Sequence, residues 1–434
     1  MPNLENDTVA VQTLGCKVSQ YESEAIAEAF AARGFQVREK AEHCRVVVIN
    51  TCTVTAESDR KCRQAIHRAV RENPGAFIAV TGCYAQNAPE QIRAIPGVSY
   101  VCGSRNKMSV VEAAETFLRD GRTVPSAVLP TDALPFEPMK ICRSERTRAY
   151  VKIEDGCENH CTYCAIPSAR GGVVSKPAAD VAEEVRGLVG AGYREVVLTG
   201  IEAASWGRDL GDERLVDLLE TVDRIPGISR IRLGSLDPSY MKEDAVRRLA
   251  ALRHLAPQFH LSMQSGADPV LRAMKRKYNR QMALDALARL RRYIPGVQFT
   301  TDLLFGFPGE TEEDVASTLD FIRQARFLFI HIFPYSQRPG TPADQMPDQI
   351  PGSEKARRCA AADRLMREIR SEIFAEQTGR EAEVLFETYQ DGVCRGRLAD
   401  FIEVSAASPI PLHGEFRRVR ITSADENGCI GTLI

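Results

Sequence analysis

The sequence predicts an α/β protein in three parts: an N-terminal doubly wound parallel α/β domain, a central partial (β/α)6 barrel and a small C-terminal β-barrel. Short apolar runs alternate with amphipathic helical stretches over 9–119 and again over 149–333, the pattern of parallel strands covered by helices. Between them, 121–145 holds Pro125, Pro130, Pro135 and Pro138 and has neither periodicity, as a linker should. After 377 the chain changes to five short strands separated by glycine, which suits a small barrel. The expected boundaries are 1–120, a linker over 121–148, then 149–376 and 377–434.

Taken in order, 9–14 reads as a strand, 20–33 as an amphipathic helix stopped by Gly34, 35–38 as a second strand and 45–50 as a buried one. Helix 57–72, strand 77–81, short helix 89–94, strand 98–102 and helix 107–119 complete the first part. Strands at 150–154, 194–199, 229–234, 258–263, 297–305 and 328–333 then alternate with helices at 178–190, 213–224, 243–253, 280–293 and 311–325. Six such strands suit a barrel open on one side, with its site at the carboxyl ends of the strands. A helix at 353–376 leads to strands at 381–388, 393–398, 401–405, 416–422 and 429–433.

Composition narrows the class. With 434 residues, 44% hydrophobic and 26% charged, the chain fits a soluble protein of two or three domains. The opening residues 1–8 are polar and no apolar run reaches membrane-spanning length, so a cytoplasmic protein without a membrane anchor is expected. Thirteen cysteines in a reducing compartment point to metal or cluster chemistry rather than disulfides. The net charge of −2 gives no global sign of nucleic-acid binding. Two local basic runs, 272–280 and 355–370, could contact phosphate or could be solvated helix faces.

Cys157, Cys161 and Cys164 lie at CxxxCxxC spacing in VKIEDGCENHCTYCAIPSARG, just past the alternating run Val151-Lys152-Ile153. Three thiolates on irregular backbone can hold three irons of a 4Fe-4S cube and leave the fourth iron open. A zinc knuckle completed by His160 is the alternative, although zinc sites favour CxxC pairs. Cys16, Cys52 and Cys83 each fall just past a strand, in LGCKVSQ, NTCTVT and TGCYAQ. Parallel strands put their carboxyl ends on one edge, where open α/β sheets bind ligands. These three cysteines are therefore expected to converge on a second cluster, with a redox or zinc triad as the alternative. Cys44, Cys62, Cys102 and Cys142 share no such position and are expected as small buried or half-buried side chains.

The CxxxCxxC stretch resembles the radical S-adenosylmethionine (SAM) superfamily. There the open iron chelates SAM, and one electron cleaves it to a 5'-deoxyadenosyl radical. With their cysteine contexts, residues 9–119 resemble the amino-terminal domain of the methylthiotransferases, which insert sulfur and a methyl group into an unactivated C–H bond. Residues 149–345 resemble the barrel of that family through segments that recur at successive strand ends. These are Thr199-Gly200-Ile201-Glu202, then Ser262, Gln264, Ser265 and Gly266, then Asp302 with Gly306-Phe307-Pro308-Gly309-Glu310, and last Phe333-Pro334-Tyr335-Ser336. With Tyr163 of the cysteine loop, the resemblance implies that Thr199, Gly200, Glu202, Ser262, Gln264, Ser265, Asp302 and Gly306 contact SAM. Residues 377–434 resemble the TRAM domain, a small RNA-binding barrel, although six arginines stand against nine acidic residues there. RNA binding by it would rest on Arg395, Arg397, Arg417, Arg418 and Arg420.

The family resemblance implies two 4Fe-4S clusters, SAM, a tRNA anticodon stem-loop as substrate and an electron donor such as flavodoxin or ferredoxin; a monomer is expected. The LGCKVSQ context is similar to the branch that methylthiolates carbon 2 of N6-threonylcarbamoyladenosine next to the anticodon. That branch usually has Asn where this chain has Ser19. One alternative keeps the chemistry on a ribosomal-protein aspartate. Another is a non-catalytic, cluster-bearing RNA-binding or electron-transfer protein.

Overall fold

A computed structural model describes residues 7–434; the first six residues of the polar opening segment lie outside the described residues. Five strands, β1 (Thr8–Thr13), β2 (Gln36–Arg38), β3 (Val46–Thr51), β4 (Phe77–Gly82) and β5 (Tyr100–Val101), form one sheet in the order β2-β1-β3-β4-β5. Every pairing in it is parallel. All six residues of β3 and of β4 are buried, as central strands covered on both faces must be, and their unbroken Val and Ile runs follow from that. The order reverses between β1 and β3, so the loops after these two strands diverge and leave a crevice at their carboxyl ends. Cys16 and Cys52 follow those two strands.

The central part begins with β6 (Ala149–Lys152), followed by a short antiparallel pair, β7 (Glu154–Asp155) and β8 (Val174–Ser175). β9 (Glu195–Thr199) and β10 (Arg230–Leu233) join β6 in one parallel sheet, while β11 (Ser235–Leu236), β12 (Gln258–Leu261), β13 (Gln298–Phe305) and β14 (Phe329–Pro334) form the next. The expected single strand 229–234 is thus broken at Gly234, where a Cβ would come within 3.1 Å of Thr199 Oγ1. Together the two sheets make a curved wall of six strand positions. β6 and β14 pair with no common partner, so the barrel stays open on one side.

Three helical turns escaped the sequence reading: Cys83–Asn87, Ile166–Arg170 and Asp268–Ala273. Each spans less than two turns and so shows no 3.6-residue period. The proline-rich segment is not a loose tether. Ser126 Oγ accepts from Val101 N at 2.9 Å, and Met139 and Ile141 are buried in the barrel core.

The helix Gly352–Ala375 leads to β15 (Glu381–Gln390), β16 (Val393–Arg397), β17 (Glu403–Ala407), β18 (Phe416–Asp425) and β19 (Gly428–Leu433), a closed barrel in the order β15-β16-β17-β19-β18. Val384, Phe386, Ile402 and Val419 are fully buried and continuous with the core of the central part. Of the four cysteines expected to be buried or half-buried, Cys44, Cys62 and Cys102 are buried but Cys142 is exposed, because its backbone lies on the surface, bonded to the Glu28 carboxylate at 2.9 Å. Among the described residues no helix is long and apolar enough to cross a membrane.

Candidate active site

The loop 157–164 is held by its backbone at both ends. Cys157 N donates to Gly171 O at 3.1 Å and Thr162 N to Met274 O at 3.2 Å. Gly156, at φ 89°, could not carry a Cβ, which would run into the Gly172 carbonyl. His160 is exposed, at φ 45°. Among the described residues no three His, Cys, Asp or Glu side chains are grouped to hold a single metal ion, as a zinc knuckle completed by His160 would need. A cube makes a different demand, since each thiolate binds its own iron and the sulfurs stand apart.

The second set lies opposite. Cys16 is the N-cap of the helix Lys17–Ala31, Cys52 follows β3, and Cys83 opens the helix Cys83–Asn87. That helix packs on Ile166–Arg170, which directly follows the CxxxCxxC loop. Ser104 Oγ donates to Ala169 O at 2.5 Å across the same seam. This packing brings Cys83 and the CxxxCxxC loop to the two sides of one seam. Ser19, buried beneath Cys16, would be struck by any Cβ on Gly15 and accepts Asn50 Nδ2 on its carbonyl at 3.0 Å.

Burial pushes Cys157 and Cys52 up to about 12 and Cys164 up to about 11. Without a metal these sites would hold neutral thiols, and a bound cationic cluster would convert them to thiolates. Each set already has one cation aimed at a sulfur: Arg276 Nη1 donates to Cys161 Sγ at 3.2 Å and Arg170 Nε to Cys83 Sγ at 3.1 Å. Donors of this kind suit anionic sulfur. The donor sets therefore fit iron–sulfur clusters.

Next to Cys83, and joined to it through Arg170, lies a buried ion network that the sequence did not announce. Arg170 Nη1 contacts Glu22 at 2.7 Å and Asp155 at 3.0 Å, Lys152 Nζ contacts the same two carboxylates at 2.8 and 2.6 Å, and Lys107 Nζ reaches Glu22 at 3.5 Å. Burial alone would raise the Glu22 and Asp155 carboxyls, but Arg170, Lys152 and Lys107 hold both below the usual carboxylate range. Glu22 and Lys107 come from the first part of the chain and Lys152, Asp155 and Arg170 from the second, so the network fixes one against the other.

The residues expected at SAM surround the carboxyl ends of the strands. Thr199 ends β9, buried, with its carbonyl accepting Ile153 N at 2.8 Å. A Cβ at Gly200 would run into Glu154 Oε2, the atom that accepts Glu202 N at 2.9 Å. Glu154 Oε1 is buried with no partner, an orphan acceptor suited to an ammonium group. Glu202, raised to about 7 by burial and by nearby Asp237, accepts from Asn159 of the cysteine loop at 3.3 Å. Tyr163 packs on an apolar cluster with Met274, Phe307 and Tyr335. Gln264 takes φ 63°, a costly left-handed conformation for a non-glycine residue. The Ser262 carbonyl accepts from Arg276 and Tyr278 at 3.0 and 2.9 Å. Ser265 caps its own turn through Ala267 N at 3.2 Å. At Gly306, φ 75°, a Cβ would strike Lys355. Asp302 turns into the barrel lumen toward His260 Nε2 at 3.3 Å. Gly200→Ala is expected to displace Glu154 and weaken SAM binding by about tenfold, the effect of a 1–3 kcal/mol overpacking strain. Titration of the reconstituted protein checks this, and an unchanged Kd would remove the Gly200 turn from the SAM site.

The Phe333–Ser336 segment and the residues just after it do something the sequence did not suggest. Arg338 Nη2 donates to Thr53 Oγ1 at 2.7 Å and pairs with Asp59 at 2.6 Å, while Ser336 Oγ accepts Ala56 N at 3.0 Å. These contacts clamp the Cys52 loop to the barrel. Below lies a lumen cavity of about 360 Å3, whose wall includes Lys17, Arg232, His260, His331 and Phe401.

Several members of the basic runs are paired within the protein. Arg276, from the run 272–280, points at Cys161 and pairs with Asp237 at 2.8 Å. Arg280 pairs with Asp320, and Arg357 and Arg358 with Glu354 and Glu312. On the small barrel Arg418 and Arg420 pair with Glu381, and Arg417 with Glu415, leaving Arg395 exposed. Signals for the missed residues did exist. Arg232, His260 and His331 sit inside barrel strands, where an apolar lumen would have no polar side chain.

Two family models match separate stretches of the chain. A family model described as uncharacterized protein family UPF0004 matches residues 8–103, and one described as the Radical SAM superfamily matches residues 151–322. The chain is 38% identical to the threonylcarbamoyladenosine tRNA methylthiotransferase MtaB of Bacillus subtilis (strain 168), covering 96% of this chain and 94% of that protein. It is 37% identical to the tRNA-2-methylthio-N(6)-dimethylallyladenosine synthase of Acidothermus cellulolyticus, over 87% of this chain and 77% of that one. Among solved structures it is similar in fold to the radical SAM methyltransferase TsrM from Kitasatospora setae, with a TM-score of 0.58, 17% identity, and coverage of 90% of this chain and 77% of that one.

Proposed function

The chain belongs to the radical SAM tRNA methylthiotransferases, and from that premise we propose that it places a methylthio group on carbon 2 of N6-threonylcarbamoyladenosine beside the anticodon. Cys157, Cys161 and Cys164 hold the cluster that binds SAM, and Cys16, Cys52 and Cys83 hold an auxiliary 4Fe-4S cluster. When bound and reduced, the first cluster supplies the electron that makes SAM a hydrogen-atom abstractor, and the second supplies the sulfur. The observation that carries this assignment is the packing of the helix opened by Cys83 against the helix that directly follows the CxxxCxxC loop. A target base entering there meets the radical source on one side and the sulfur source on the other.

The protein's own residues then bind, orient and exclude water. Gly200, Glu154 and Glu202 cradle the SAM amino acid moiety. Arg276 and Arg170 stabilise sulfur charge by direct donation. The Arg338 clamp closes the seam, so that a radical formed inside is shielded from solvent. The division into 1–120, 149–376 and 377–434 matches a sulfur-donating part, a radical-generating part and an RNA-gripping part. A flavodoxin or ferredoxin serves as electron donor to a cytoplasmic monomer.

The assignment to threonylcarbamoyladenosine draws on the B. subtilis relative and on the LGCKVSQ context. Nucleoside mass spectrometry of tRNA from a strain lacking this gene tests it. The methylthio group is expected to vanish from threonylcarbamoyladenosine, to return with the wild-type gene and to stay absent with Cys16→Ala, Cys52→Ala, Cys83→Ala. An intact nucleoside, with a ribosomal-protein aspartate lacking its methylthio group, would overturn the assignment. Normal product from the triple variant would remove those cysteines from sulfur donation.

A further inference from the structure

We propose that the lumen cavity seats the N6 substituent of the target base and that Lys17 reads its carboxylate, an inference that rests on the threonylcarbamoyl assignment above. All three parts of the chain wall this cavity. Lys17 comes from the turn after Cys16, Arg232, His260 and His331 from the barrel strands, and Phe401 from the small barrel. The space therefore runs from the foot of the auxiliary cysteine set into the lumen.

The two substituents named for the relatives have opposite chemistry. A dimethylallyl group is wholly apolar and calls for an apolar wall, because a buried polar group without a partner is costly. A threonylcarbamoyl group carries a carboxylate, a hydroxyl and an amide. The wall here sets a polar group among apolar side chains: His260 bonds Thr300 Oγ1 at 3.0 Å and Asp302 at 3.3 Å, and Gln258 Nε2 donates to Thr300 Oγ1 at 2.9 Å, so it offers partners that a dimethylallyl group could not use.

The cations in the wall are not equivalent. Arg148 pairs with Glu387 at 3.2 Å, Arg232 with Glu195 at 2.9 Å and Arg397 with Glu403 at 2.9 Å. The same three guanidiniums surround the Phe401 ring at 5.3, 4.8 and 4.4 Å. Phe401 itself is held at φ 77°, a left-handed conformation a bulky residue keeps only where its surroundings enforce it. These three arginines are thus already paired and stacked, and Arg370, the fourth in the wall, donates to the Glu426 carbonyl at 3.1 Å. Lys17 is exposed toward the cavity, has no hydrogen bond or ion pair among the described residues, and shares the wall with Arg148 and Arg232, whose like charge repels it. An anion delivered into the cavity would relieve that repulsion, and the carboxylate of the substituent is such an anion.

The test compares two anticodon stem-loop RNAs that differ only in the substituent, one with the free acid and one with its methyl ester. Phosphate contacts, which dominate RNA affinity, are the same in both and cancel. Binding of each to the anaerobically reconstituted full chain is measured at one salt concentration, with iron content recorded for every variant. Wild type is expected to prefer the acid by about tenfold or more, as a charge-assisted contact provides. Lys17→Gln is expected to bind the acid no better than the ester, with ester affinity unchanged, and Lys17→Arg to restore most of the preference. A full preference in Lys17→Gln would overturn the role of Lys17. So would a wild type indifferent to the ester, which decides the matter even if Lys17→Gln fails to assemble its clusters. A wild type that methylthiolates a dimethylallyl RNA and ignores the threonylcarbamoyl RNA would instead overturn the substrate assignment itself.

Discussion

Replacing Cys157, Cys161 and Cys164 by Ala is expected to remove about half the iron of the anaerobically reconstituted protein and to abolish 5'-deoxyadenosine formation, because each cluster has its own cysteines. The remaining iron should stay, for structural reasons. The loop that carries these residues is pinned through the backbone of Cys157 and Thr162, not through its thiols alone. Cys16, Cys52 and Cys83 hang from a different sheet. Iron analysis and SAM-cleavage assays check both halves. Unchanged iron would overturn the ligand assignment, and loss of all iron would show that the two sites assemble as one.

Glu22→Ala is expected to destabilise the protein by about 3–5 kcal/mol, the usual result of removing one partner of a buried charge network. Three cations, Arg170, Lys152 and Lys107, would then face Asp155 alone in a space with no water to screen them. Denaturant unfolding of variant and wild type under the same cluster loading measures the loss. pH gives an independent check. The folded carboxyls of Glu22 and Asp155 lie below their ordinary values of 4.5 and 3.8, so their contribution is complete above those values and fades as pH falls through the folded ones. The gap between wild type and Glu22→Ala should therefore narrow in acid. A gap independent of pH would mean that Glu22 acts through packing rather than charge.

Much of this architecture was legible because the hydrophobic period is strong wherever an element is long. The helices over 178–190 and 280–293 were read to their end residues, and the order of elements through the barrel followed. CxxxCxxC spacing marked the first candidate cluster, and position just past successive strands marked the second. What stayed hidden depends on partners far away along the chain. Glu22 sits in QYESEAIAEA, where any reader would give it to solvent, yet its partner Arg170 is 148 residues on. Arg276 looked like one more member of a basic run, and only the fold turns it toward Cys161. Gly234, which breaks a barrel strand in two, has no local signature beyond being glycine.

The small barrel is built into the wall of the lumen. Helix Gly352–Ala375 packs on both β14 and β18, and Phe401 reaches the cavity while Arg232 donates to Ala399 O at 3.1 Å. A module on a flexible linker adds affinity through effective concentration and tolerates many spacings. This one has no slack. An RNA stem held there, as proposed above, would stand at a set distance from the cavity, so the chain would act as a gauge for the length of RNA between stem and base.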